Sequence, residues 1–225
     1  MRNLAVCAIG CVSLVLAIQP GEPTLLKPGS TVERQLTGKE SQEFQLALQK
    51  GEYAKLVTEQ RSIRVKLACF GPDGKLLFED ETFAIGEPQN SELIANASGS
   101  YRFRVTSSDP TAPSGQYAIT LTSVERATSR HQSRVAAARA YARVTKIDNR
   151  GSPDFRQRVI AAYQEALTNW RAAGDLREEA RTLYSLGPFL SSSGEPQKGL
   201  DYTTRGLAVA GASGFSSRWK ISRTC

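Results

Sequence analysis

With 225 residues the chain has room for one large domain or two small ones, and its charge favours two: residues 20–125 hold 11 Lys and Arg against 14 Asp and Glu, a net of −3, while residues 126–225 hold 17 against 8, a net of +9. Together with Arg2 these make up the formal net charge of +7, so the basic excess belongs to the second half. Two of the four cysteines lie within the first eleven residues and the remaining two are too few for a disulfide framework, no ligand spacing for a metal centre occurs, and the one histidine has no second to join it in activating a thiol.

The N-terminus reads as an export signal over residues 1–19. Arg2 and Asn3 precede the charge-free apolar run LAVCAIGCVSLVLAI at 4–18, which is short for a bilayer span, and Val15-Leu16-Ala17 offers small residues to a signal peptidase. An uncleaved membrane anchor and a lipid on Cys11 are the alternatives; each makes the chain exported, periplasmic or extracellular. Cleavage removes Cys7 and Cys11 and leaves Cys69 and Cys225, of which Cys69 alternates inward with Ile63, Val65 and Leu67 as a buried core thiol.

From residue 31 to 124, within a domain expected over 24–124, the period is two. EFQLAL, EYAKLVTE, IRVKLACF, KLLFED, SELIANA, SYRFRVTSS and GQYAITLTSV are short runs rich in β-branched and aromatic residues, and Gly71-Pro72-Asp73-Gly74 is a tight turn between two of them. Short strands at this spacing predict an antiparallel β-sandwich or barrel. The order EFQLALQKGEY, LACFGPDGKLL, ASGSYRFRV, SGQYAITL resembles the bacterial pre-peptidase C-terminal β-sandwich, of jelly-roll-like form, over about 90 residues. Members of that family bind calcium or polysaccharide in places. Here Asp73, Glu79, Asp80 and Glu81 read instead as the solvated charges of an edge strand.

Past Val124 the period changes. Residues 125–150 form a basic linking helix, Ala- and Arg-rich, broken at Asp148-Asn149-Arg150-Gly151-Ser152-Pro153. Arg126, Arg130 and Arg134, then Arg139 and Arg143, recur at i, i+4 and line one face, either plainly solvated or set toward an anionic membrane or cell-wall polymer. An exported protein seldom meets nucleic acid, so none is expected as a partner. His131 reads as a solvated residue of this helix. A second helix starts after Pro153 and ends at Gly174, a third runs from Asp175 to about Ser192, and a fourth follows Pro196.

These helices repeat. Leu167 aligns with Leu207, Gly174 with Gly214 and Ile160 with Leu200 at a shift of 40 residues, which signals a solenoid of helical hairpins over residues 153–215. Leu183, Leu186, Gly187, Leu190, Gly194, Leu200 and Leu207, with Tyr163, Ala166 and Leu167 in the preceding unit, resemble the packing positions of the tetratricopeptide repeat; HEAT-type repeats are the alternative. Glycine inside a helix costs about 1 kcal/mol relative to alanine. Gly187 is expected to permit close approach of two helices, whereas Gly199, Gly206 and Gly211 are expected to weaken the last helix, leaving residues 196–225 frayed beside an independently folding sandwich. Residues 216–225 form an irregular tail.

Signal, sandwich, linking helix and repeats in this order resemble the N-terminal part of bacterial CHAT-domain proteins. Their His/Cys peptidase portion has no counterpart here, so the resemblance implies a truncated, non-enzymatic relative without cofactors: an interaction scaffold that takes a protein or peptide on its helical repeats. A wall- or polysaccharide-binding sandwich and a regulatory fragment of a caspase-like peptidase are the other readings.

Overall fold

The computed structural model describes residues 22–81, 88–147 and 151–212. Nine strands come first: β1 (Thr24–Leu25), β2 (Thr31–Leu36), β3 (Ser41–Leu48), β4 (Glu52–Gln60), β5 (Val65–Phe70), β6 (Leu76–Glu81), β7 (Pro88–Ile94), β8 (Gly99–Ser107) and β9 (Gly115–Arg126). Four helices follow: α1 (Ser129–Lys146), α2 (Phe155–Ala173), α3 (Leu176–Ser192) and α4 (Pro196–Ala212). The N-terminal apolar run, Cys225, the tail and Asp148-Asn149-Arg150 lie outside the described residues.

Alternation builds the sandwich. In β8, Tyr101, Phe103 and Val105 are buried, while Arg102 and Arg104 lie on the opposite face with their guanidinium groups 5.2 and 5.1 Å from the centre of the Phe70 ring. The strands form two sheets in the orders β1-β3-β8-β5-β6 and β2-β9-β4-β7, with every pairing antiparallel except β1 on β3. Taken over β2 to β9 this is the strand order of a jelly roll. Leu36, Phe44, Leu56, Leu67, Tyr117 and Ile119 come from both sheets and share one core, into which Cys69 also points. The Gly71–Gly74 turn joins β5 to β6: Gly74 donates its N–H to the Gly71 carbonyl at 2.9 Å and holds φ at +77°, a backbone that suits glycine.

The linking helix begins later than its composition implies. β9 runs on to Arg126, opposite Glu52 of β4, and α1 starts only after Thr128, whose hydroxyl accepts the His131 N–H while His131 Nδ1 accepts the Thr128 N–H. Short loops fold each later helix back on its predecessor. Leu183, Leu186, Leu190, Tyr163 and Leu167 fill one helical core, and Trp170, Ala166, Ala137 and Ala140 a second between α1 and α2.

Candidate functional site

The two sheets end on one side in open edge strands, β6 and β7. An uncovered edge presents unpaired backbone groups, and α1 lies across this one. Arg139 donates to the Glu92 carbonyl at 2.6 Å and to Asp80 Oδ1 at 3.2 Å, with its guanidinium 3.7 Å from the centre of the Phe78 ring. Lys146 Nζ lies 3.5 Å from the Glu79 carbonyl. Arg134 grips the Glu92 carboxylate with two hydrogen bonds, at 3.0 Å from Nε and 2.6 Å from Nη2, and its other terminal nitrogen pairs with Asp175. Asp175 in turn accepts the Glu178 N–H at 3.1 Å as the N-cap of α3. One guanidinium thereby ties β7, α1 and α3 together.

The electrostatics follow from burial. Burial alone would lower the Arg134 pKa, but the hydrogen-bonded Glu92 carboxylate and then Asp175 hold it above the usual arginine value. The Tyr53 hydroxyl is pushed up by burial and by Glu92. Burial also raises the Asp80 carboxyl, against the pull of Arg139, and pushes the Cys69 thiol up to about 12.

This geometry corrects the expectation of an arginine stripe set toward an anionic surface. Arg126 donates to the Lys50 carbonyl at 3.2 Å, Arg130 to the Ala173 carbonyl at 2.7 Å, and Arg143 pairs with Glu165. All five arginines are engaged within the chain. For Arg134 and Arg139 the cause is the charge division in the sequence: an acidic sandwich edge faces a basic helix. Of Asp73, Glu79, Asp80 and Glu81, expected as a solvated edge-strand run, Asp73 and Glu79 are exposed while Asp80 and Glu81 are partly covered. Asp80 is covered by Arg139, Glu81 lies 3.7 Å from Lys66, Asp73 accepts the Lys75 N–H of its own turn at 3.1 Å, and Glu79 is exposed and makes no ion pair among the described residues. His131 is not a solvated helix residue either, because its ring stacks on Tyr53 with centroids 4.0 Å apart and planes 6° apart.

The helical residues fall into two groups. Tyr163, Ala166, Leu167, Leu183, Leu186 and Leu190 are buried between helices. Gly187 of α3 faces Gly199 of α4: a Cβ on Gly187 would lie 2.8 Å from the Gly199 carbonyl oxygen, and one on Gly199 would lie 2.5 Å from the Gly187 carbonyl oxygen. Gly206 continues the contact against Ala180 and Leu183. Two of the three glycines expected to weaken α4, Gly199 and Gly206, are thus its points of closest approach, while Gly211 meets nothing within 4 Å. Gly194 follows α3 with φ +89°. Leu200 and Leu207, expected to pack, are 59% and 57% exposed, because they lie on the side of α4 that no described helix covers.

Glu92, which holds Arg134, and Tyr53, on which His131 stacks, carry the joint and were not singled out by sequence reasoning. Only the Thr128-x-x-His131 cap had a local signal. Among the described residues no group of three or more His, Cys, Asp or Glu is placed to hold a metal ion. No helix among them is long and apolar enough to cross a membrane.

No protein-family model matches the chain, and no curated protein sequence matches it. Among solved structures it is similar to PliG of Aeromonas hydrophila, a periplasmic inhibitor of g-type lysozyme, at 11% identity and a TM-score of 0.38 over 46% of this chain and 96% of that one. It is also similar to the pre-peptidase C-terminal domain of a Bacillus anthracis collagenase, at 13% identity and a TM-score of 0.37 over 46% of this chain and 98% of that one. Likenesses this distant leave the function to the chain's own geometry.

Proposed function

We propose that the chain is an exported, non-catalytic interaction scaffold in which tetratricopeptide-like hairpins, anchored on the sandwich edge by Arg134 and Arg139, dock an amphipathic helix of a partner protein. The observation that carries this reading is the pair Leu200 and Leu207. They stand seven residues apart on one face of α4, more than half exposed, while Gly199 and Gly206 lock the adjoining face onto α3. Exposed large apolar residues in register mark interaction sites. The occupant is a helix because α2, α3 and α4 already stack in series, and the open face continues that packing. His131 and Cys69, held in a stacked cap and in the sandwich core, are occupied structurally.

A photo-crosslinking residue in place of Leu207, with a second placed at Lys27 on the sandwich as control, tests the reading in cells that export the chain. The expected adduct maps to an amphipathic helix of one protein, and that helix binds as a synthetic peptide. No adduct beyond the control, or a mapped segment that fails to bind, overturns it.

A further inference from the structure

The apolar cores of the sandwich and of the helices do not meet among the described residues. One cluster draws only on the sandwich, with Val124 its last member, and the two helical clusters begin at Ala137. Tyr141 of α1, Val159 of α2, Leu183 of α3 and Val209 of α4 share one of these, so the four helices form a single packed body. What joins the two bodies is mostly polar: Arg134 on Glu92, Arg139 on Asp80 and on the Glu92 carbonyl, and Lys146 near the Glu79 carbonyl, with the Tyr53–His131 stack and Arg139 over Phe78 beside them. Next to these contacts the bodies stand apart around a cleft of about 400 Å³, walled by Glu79, Glu81 and Asn90 on one side and by Ala142, Thr145 and Arg181 on the other.

Only Ala127 and Thr128 connect β9 to α1. The Ala127 N–H donates to the Gly51 carbonyl at 3.0 Å, and Thr128 caps the helix. The Tyr53–His131 stack sits in the first turn of α1, next to this connection, where a rotation displaces it least; Arg134, Arg139 and Lys146 follow farther out along the helix. Domains whose interface is neither large nor apolar move relative to one another by default. The ion pairs permit such motion, because seating the helices takes Glu92, 3% exposed, and Asp80 out of water, and lifting them gives the water back. Separating an apolar seam would bring no such return. We infer that the four helices are a rigid arm hinged on the sandwich at Ala127–Thr128 and latched by Arg134 on Glu92 and Arg139 on Asp80, and that release of the latch swings the arm off the β6–β7 edge with both bodies still folded. The hinge sets the angle at which α4 is presented, and it holds whether or not that face docks a partner.

The test is backbone ¹⁵N relaxation of the full chain, with small-angle X-ray scattering beside it. Glu92→Lys sets a cation against Arg134 from the sandwich side and leaves the Arg134–Asp175 pair inside the arm untouched. In the parent, strand and helix amides are expected to share one rotational correlation time. In the variant the two groups should part, each shorter than in the parent and each keeping its dispersed chemical shifts, while the largest dimension in scattering grows. Glu92→Gln with Asp80→Asn, which removes both charges at nearly constant shape, is expected to shift both readouts in the same direction by less, and it decides the matter should the charge reversal fail to fold. One shared correlation time in the folded variants would mean that other contacts hold the arm down. Helix resonances that collapse to random-coil positions while the strands keep theirs would mean that the helices cannot stand off the sandwich as a folded body. Either result overturns the proposal.

Discussion

Gly187 and Gly199 face each other across the α3–α4 contact so closely that a methyl group on Gly199 would lie 2.5 Å from the Gly187 carbonyl oxygen. The backbone there has no room to yield, since the neighbour is itself main chain. In an open helix, glycine to alanine stabilises by about 1 kcal/mol; here overpacking costs about 1–3 kcal/mol and wins. Gly199→Ala is therefore expected to destabilise the chain, while Gly211→Ala, which meets nothing within 4 Å, stabilises it. Urea denaturation of the two variants checks the opposite signs.

The Arg134–Glu92 pair ties the helices to the sandwich and is largely withdrawn from water. Removing one partner leaves a buried charge uncompensated, at a cost of about 3–5 kcal/mol, whereas replacing both by apolar residues costs much less. Arg134→Met alone is expected to lower stability more than Arg134→Met with Glu92→Leu. A double variant as unstable as the sum of the single ones would show that the two side chains do not act as a pair.

How much of this was legible in the sequence depends on the distance along the chain. Tyr101, Phe103 and Val105 announce a strand because alternation is local, and Gly174 ends α2 by the same kind of signal. Arg134 and Glu92 are 42 residues apart, and nothing near either residue says that the open β7 edge would take a helix. The arginine spacing was visible, but the acidic edge opposite it comes from the jelly-roll order of the strands. Leu200 and Leu207 aligned with the buried Leu167 unit, yet burial requires a covering helix, which the spacing of one helix does not specify.

Stability should fall with rising pH in one window. Burial raises the Asp80 and Glu178 carboxyl groups above their ordinary range, with Arg139 and Arg181 opposing only in part. Above about pH 4, where an unfolded carboxyl group loses its proton, the folded chain keeps these two protons to higher pH. Their contribution is therefore full below that pH and is lost as pH rises through the folded values. Asp80→Asn with Glu178→Gln should flatten this limb of the curve of urea midpoint against pH. An unaltered limb would show that neither group titrates above the ordinary range.

Burial at the centre of the sandwich pushes the Cys69 thiol up to about 12, which leaves almost no thiolate at neutral pH. In the folded chain Cys69 should resist iodoacetamide and react promptly once urea unfolds the sandwich. Mass spectrometry of the peptide containing Cys69 reads the difference, and fast labelling without denaturant would place the thiol outside the core.

The claim that the uncovered face of α4 docks a partner helix is tested most directly by affinity. With the peptide mapped by crosslinking at position 207, calorimetry should show that Leu200→Glu with Leu207→Glu weakens binding at least about tenfold, since two apolar side chains lose their burial. The circular dichroism and urea midpoint of this variant should stay close to those of the parent, because both side chains are exposed in the free chain. Unchanged affinity in a folded double variant would contradict the account.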